Sequence, residues 1–314
     1  MKMSILSAVT LFSLAAISQD TLVAHISANK ATQPEPSYTW IFSSPKMINT
    51  NTVEILQKGI LEFKVTHNFG NIGGDNGGIK RFFGLDNAAD VRIGFQYGVS
   101  NRLNLVAARA KGAGLVQQQF ELGLKYRILR QADDDNRYPV SMTLFANTVV
   151  SAMKANDLDD QENSFRGLSD RLSQTVQLLI ARRFGKISLQ LSPAVVNRNY
   201  VIAGDDNTIF ALGGAARIPV RGKFSLLLDY FHSFRSQESI DMFKARDIKF
   251  YDALGVGIEI VTEGHVFQLN FTNATETLEN RLIPHTTTSW GKGEFRWGFT
   301  IARDFDLLWK KKRK

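Results

Sequence analysis

Between Ala89 and Val99 the apolar residues Val91, Ile93, Phe95 and Tyr97 stand at odd positions, and Asp90, Arg92, Gly94 and Gln96 hold the even ones. Side chains of a strand point alternately to opposite faces, so this period of two predicts a strand with one apolar and one polar surface. The alternation resumes after Gly98, Ser100 and Asn101, residues suited to a tight turn, and a hairpin is expected there.

The pattern recurs. Leu61, Phe63, Val65, His67 and Phe69 alternate with Glu62, Lys64, Thr66 and Asn68; Phe120, Leu122, Leu124, Tyr126 and Ile128 alternate with Glu121, Gly123, Lys125 and Arg127. Further strands are expected to start near Arg102, Val140, Leu172, Ile187, Thr208, Phe224, Tyr251, His265 and Glu294, giving about twelve. Compact connectors at 99–101, 184–186, 219–222 and 262–264 interleave with longer ones at 70–88, 111–118, 152–171, 200–207, 234–250 and 274–293. The connector 129–139 breaks the rule and reads as an extended turn on the short side.

This organisation predicts an all-β fold: a transmembrane antiparallel up-and-down β-barrel of about twelve strands, with short periplasmic turns and long extracellular loops. Strands of about ten residues, tilted, cross the hydrocarbon layer, and closure leaves no unpaired edge in lipid. A soluble sandwich or ligand-binding barrel also alternates. Three features count against it. Aromatic residues Phe69, Phe120, Tyr126, Phe224, Tyr230, Phe295 and Trp297 recur near strand ends on the apolar face, the long loops hold acids as in NDLDDQE, and the opposite face is charged where a small soluble barrel would be apolar.

Parity gives the expected lumen-lining set: Glu62, Lys64, Asp90, Arg92, Glu121, Lys125, Arg127, Arg217, Asp229, Glu259, Glu294 and Arg296. Such charges require water or each other. A wet lumen would pass small polar solutes; a paired network would close the barrel into a scaffold. Parity does not choose between them. Closure of the first strand on the twelfth is expected to bring Glu62 and Lys64 near Arg296 and Glu294.

Composition narrows the setting. The chain has 314 residues and no cysteine, which excludes disulfides, thiolate metal sites and cysteine nucleophiles. Of the formal charge of +8, Lys310, Lys311, Lys312, Arg313 and Lys314 supply five and Lys2 one, so the body carries too little excess for a nucleic-acid binder. MKMSILSAVTLFSLAAISQD joins a basic start to an apolar run and small residues, the pattern of a secretory signal peptide over 1–18. No later stretch reaches the roughly 18 apolar residues of a spanning helix. The expected organisation is therefore a signal peptide, a periplasmic extension or lumen plug at 19–52, a barrel at 53–305 and a basic tail at 306–314.

One resemblance goes beyond pattern. IFSSPKMINTNTVEILQKGILEFKVTHNFGNIGG, then FFGLDNAADVRIGFQYGVSNRLNL, KYRILRQ and PVSMTLFAN, resemble a Bacteroidota β-barrel family catalogued as domain of unknown function 5777. The likeness is dense from about 40 to 150 and looser to about 305. It implies an outer-membrane barrel and no assigned activity or functional residue. The C-terminus departs from a terminal aromatic, since Phe305 and Trp309 precede KKKRK.

Other chemistry is weaker. His67 and His232 fall on the apolar face, and His232 adjoins Ser233, but a triad also needs an orienting polar group and an oxyanion hole, and adjacent strand residues point oppositely. Asp133, Asp134, Asp135 and Asn136, and Asp157, Asp159, Asp160 and Glu162, lack the EF-hand spacing and read as solvated turns. GNIGGDNGG at 70–78 lacks the lysine and helix of a phosphate loop. No catalytic, cofactor or metal residue is assigned. The expectation is a non-enzymatic outer-membrane barrel, either a pore for small polar solutes or a closed structural or docking component for a periplasmic protein partner; a lipid hydrolase is the remaining alternative. Its partners would be outer-membrane lipid and that protein, without nucleic acid.

Overall fold

The computed structural model describes residues 37–112 and 114–308. The signal-peptide segment 1–18, most of the extension and the KKKRK tail lie outside the described residues. Twelve strands are present among the described residues: β1 (Ile60–Asn71), β2 (Ala88–Gly98), β3 (Leu103–Gly112), β4 (Gln118–Leu129), β5 (Ser141–Ser151) and β6 (Leu172–Phe184). They continue as β7 (Ile187–Arg198), β8 (Thr208–Arg221), β9 (Phe224–Phe234), β10 (Ala253–Thr262), β11 (His265–Thr272) and β12 (Arg296–Asp306). Each pairs antiparallel with its neighbour, and β12 closes on β1. The result is a closed up-and-down barrel with no free edge.

Sequence dictates the turns. The two-residue connectors at 185–186, 222–223 and 263–264 each hold a glycine with positive φ, Gly185 at 59°, Gly222 at 57° and Gly264 at 79°, as tight hairpins require. All lie at one end, with the 99–102 turn and the 130–140 connector. At the other end run 72–87, 152–171, 199–207, 235–252 and 273–295. Two of these loops carry α-helices, α1 (Gln237–Ala245) and α2 (Glu279–Leu282). Ser236 caps α1, its side chain accepting from Ser239 N at 3.2 Å.

Outward positions are apolar and exposed, with Ile93, Phe95, Leu105, Leu122, Tyr126, Leu189, Leu191 and Leu269 forming a continuous lipid-facing belt. The inward face is buried because the barrel is filled from both ends. From the short-turn end, residues 38–58 run up the lumen and return as a hairpin, turning where Met47 N donates to Thr50 O at 2.9 Å. From the loop end, residues 274–283 descend with α2, whose residues are all buried.

Three expectations need correcting. Glu294 is not on a strand: Gly293 (φ 73°) ends a Trp290–Lys292 helical turn, β12 starts at Arg296, and Glu294 accepts from Ser289 N at 2.9 Å within the loop. Nor do Glu62 and Lys64 meet Arg296. Antiparallel pairing sets Glu62 opposite Asp304 and Lys64 opposite Ala302, while Arg296 pairs with Asn71 at the far end of β1. Finally, the inward face is not uniformly charged, since Phe145, Leu179, Ile209, Leu227 and Phe231 also point in and are almost fully buried.

Candidate functional site

The lumen is the candidate site, and its chemistry starts from inward charges with little water around them. On β1 and β2, Lys64 Nζ lies 3.0 Å from Glu62 and donates to Ser44 Oγ at 2.7 Å, while Arg92 reaches across β3 to Glu121 on β4 with contacts of 2.7 and 3.1 Å. Asn147 of β5 donates to the other Glu121 oxygen at 2.8 Å. Arg217 and Glu259 pair at 2.7 Å. These charges are therefore satisfied by one another, as burial demands. The space left beside Lys46, Lys64 and Arg92 is about 10 Å³, room for one water at most.

Other inward groups hold the hairpin backbone. Lys125 Nζ donates to Pro45 O at 2.8 Å and Glu54 O at 2.9 Å, and Thr143 Oγ1 donates to Val53 O at 2.7 Å. Gln190 accepts from Val53 N at 2.9 Å and donates to Asn51 O at 2.7 Å. Asp229 accepts from Asn49 N and Nδ2 at 2.7 and 2.8 Å and from Thr50 N at 3.3 Å. Asn104 clasps Leu56 through both N–H and C=O at 2.6 and 3.0 Å. Arg127 sits 3.9 Å from Glu54 at the short-turn end. A segment without helix or sheet of its own thus has its polar backbone answered by wall side chains.

Glycine makes room for this. A Cβ on Gly98 would lie 2.0 Å from Gln57 O, and one on Gly255 would lie 2.5 Å from Asp229 Oδ1 and 2.9 Å from Ile48. The apolar face of the hairpin, Ile41, Phe42, Met47, Ile48 and Val53, packs against Phe145, Leu179, Ala181, Ala215 and Leu227.

The descending loop meets the hairpin mid-barrel. Glu279 forms an ion pair with Lys46 and accepts from Asn51 Nδ2 at 2.9 Å. Thr277 donates twice to Asp90, both at 2.7 Å, and Asn280 donates to Ser173 at 2.8 Å and Gln119 at 3.2 Å. Arg296 donates to Asn273 O at 2.9 Å and Thr275 Oγ1 at 2.8 Å. Above, the long loops are laced together. Arg281 bonds Glu276 and Glu162 at 2.9 and 3.1 Å, His285 lies 2.8 Å from Glu162, and Asp205 takes Arg198 and Arg235 at 2.9 and 2.6 Å. Burial raises the carboxyls of Glu162 and Asp205, but Arg281 with His285, and Arg198 with Arg235, outweigh it and hold both below the usual range. Glu276 stays above its ordinary value because burial dominates there.

Of the sequence-predicted lumen residues, Glu62, Lys64, Asp90, Arg92, Glu121, Lys125, Asp229, Glu259 and Arg296 are buried inward, Arg127 and Arg217 are half-buried, and Glu294 is in the loop. The partners that sequence reasoning missed are Lys46, Asn49, Asn51, Glu54, Thr277, Glu279 and Asn280, all on segments without periodicity. Both histidines face outward. His67 stacks on Phe299 at 5.4 Å, and His232 bonds Asp252 at 3.0 Å with Ser233 on the other face of β9. Asp133, Asp135, Asp159, Asp160 and Glu162 form ion pairs with Arg183, Arg137, Arg166, Arg246 and Arg281 respectively, and no cluster among the described residues has metal-site geometry.

A closed barrel with a lipid-facing apolar belt and its polar groups turned inward is a membrane-spanning β-barrel. Its sequence matches the family described as "Membrane bound beta barrel domain (DUF5777)" over residues 42–305. The chain belongs to that family. No curated protein matches the sequence. Similar solved structures include the NanC porin, at 8% identity and TM-score 0.46, covering 79% of this chain and 100% of that one. The KdgM porin has 7% identity and TM-score 0.44, covering 78% and 99%. An outer membrane channel from Pseudomonas putida has 12% identity and TM-score 0.48, covering 82% and 100%.

Proposed function

We propose that this chain is an exported, non-enzymatic outer-membrane barrel, held closed by its own N-terminal hairpin, that serves as a structural or docking component. Its short turns would face the periplasm, its long loops the exterior, and its partner would be a periplasmic protein meeting the short-turn rim. The observation that carries this reading is the burial of residues 41–56 in the lumen, hydrogen-bonded to Lys125, Thr143, Gln190, Asp229 and Asn104 of the wall. At the rim, exposed Trp40 and Tyr38 flank Arg130, whose guanidinium lies 4.7 and 5.2 Å from their rings. Such an aromatic and cationic patch suits protein contact.

A second reading, a pore for small polar solutes, has one observation in its favour. Withdrawal of the hairpin would leave Glu62, Lys64, Arg92, Glu121 and Lys125 lining one side of a lumen, with mixed charge. Single-channel recording in planar bilayers separates the two. The full mature chain is expected to be silent, and a variant lacking residues 41–56, checked for folding by heat-modifiable gel mobility, is expected to conduct. Stable conductance by the full chain would replace the closed reading with the pore.

A further inference from the structure

The loop end of β9, α1 and residues 248–252 enclose a groove of about 770 Å³ on the outside of the barrel. Its lower part continues the lipid-facing surface, because Tyr230, His232 and Phe234 are outward residues of β9 and Phe234 is 55% exposed. Ile240 of α1 and Ile248 add apolar lining, and Ile240 is itself 41% exposed. The upper part is cationic. Lys244, one helical turn beyond Ile240 and thus on the same face of α1, and Lys249, over the ring of Tyr251 at 5.2 Å, both line the groove. Arg235, the third cation, is committed to Asp205, Ser239 and Pro284 O.

The single carboxylate in the lining is Asp252, and it is engaged: Tyr230 Oη donates to it, and His232 Nδ1 lies 3.0 Å from both of its oxygens. That leaves the two lysines without an acid among the residues lining the groove. An apolar floor opening onto the bilayer belt, topped by two cations at the level where strand gives way to loop, matches the shape and charge of one kind of molecule. We propose that this groove is a binding site for a phosphate-bearing membrane lipid, its acyl chain against Phe234, Ile240 and Ile248 and its head-group phosphate between Lys244 and Lys249. The site lies on the outer surface and does not depend on whether the lumen is open.

The test is calorimetric titration of the full chain, folded in detergent, with a short-chain phosphatidic acid. Phosphatidylcholine of the same chain length and inorganic phosphate serve as separate arms. Phosphatidic acid is expected to bind at one site, and Lys244→Ala with Lys249→Ala to weaken it about tenfold or more, each cation near a phosphate surface contributing roughly that order. Ile240→Asp should weaken phosphatidic acid while leaving both lysines in place. Equal affinity for the two lipids, or no change in the lysine variant, overturns the proposal. Binding of inorganic phosphate as tight as that of phosphatidic acid overturns the lipid assignment and leaves an anion site. Both variants alter exposed side chains, and retained heat-modifiable mobility confirms that each is folded.

Discussion

Inward positions on β1, β2 and β4 carry Glu62, Lys64, Asp90, Arg92, Glu121 and Lys125, whereas those on β5, β6, β8 and β9 carry Phe145, Leu179, Ile209, Leu227 and Phe231, with Asp229 and the half-buried Arg217 as charges among them. Both sectors are buried, and each is matched by one side of the hairpin. Carbonyls of Pro45, Lys46 and Glu54 turn to the lysines of the charged sector, and Ile41, Phe42, Met47, Ile48 and Val53 turn to the apolar one. A wall made to carry water gains nothing from Leu179 and Leu227, both at 0% exposure. In the proposed closed barrel, Lys64 and Lys125 serve as receptors for hairpin carbonyls, and the apolar counterpart on the opposite wall is what would distinguish such a receptor from a solute path.

Because the chain has no cysteine, a single Ser44→Cys placed in the hairpin reports its release through thiol labelling. Unlabelled in the native barrel, where Ser44 is 1% exposed, it becomes reactive when the hairpin leaves. The largest effect is expected from Lys46→Ala, which strands buried Glu279 without its ion pair at a cost of about 3–5 kcal/mol. Labelling should accelerate a hundredfold or more, and Lys46→Met with Glu279→Met should restore protection by removing both charges. If the single and double variants label equally fast, the pair is not what joins the two inserts. Next is Leu179→Ala, which opens a cavity in the apolar sector worth about 2–5 kcal/mol. Lys125→Ala, which deprives two hairpin carbonyls of their donor, should cost about 1–3 kcal/mol. Release by Lys125→Ala but not by Leu179→Ala would show that the apolar sector supports the wall rather than the hairpin.

How much of this was legible follows from the same contrast. Strand starts at Leu172, Ile187, Thr208, Phe224 and His265 coincide with those expected from alternation, because a two-residue period and glycine turns are local signals. The charged sector could be read for the same reason: Glu62, Lys64, Asp90, Arg92, Glu121 and Lys125 sit on strands whose outward neighbours are apolar. The apolar sector could have been read, since Gln177 and Leu179 share an inward parity on β6, but a strand apolar on both faces resembles a packed soluble one. A lumen insert is legible only as one of two alternatives for 19–52, an extension or a plug, and α2 not at all. IFSSPKMINTNTVEIL has no period because wall side chains, rather than a sheet ladder, satisfy its backbone. Antiparallel register, not parity, decides which charges meet, and this is why Arg296 lies far from Glu62.

The smallest effect belongs to the loop end, where the laced acids respond to pH. Glu162 and Asp205 are held below the ordinary carboxylate value by Arg281 with His285 and by Arg198 with Arg235, so their ionised forms stabilise the fold. For an acid with a depressed folded value, that stabilisation is complete above the unfolded value of about 4 and is lost as pH falls through the folded one. Glu276, raised by burial, acts oppositely: its ionised form is the disfavoured one, so protonation as pH falls through its raised folded value relieves cost instead of adding it. Melting followed by circular dichroism should therefore be flat or slightly rising as pH falls toward the unfolded carboxyl value of about 4, and fall below it. Asp205→Asn should lower stability at neutral pH and flatten the acid limb, because the group whose protonation produces that limb is gone. An unchanged acid limb in Asp205→Asn would assign it to other carboxyls.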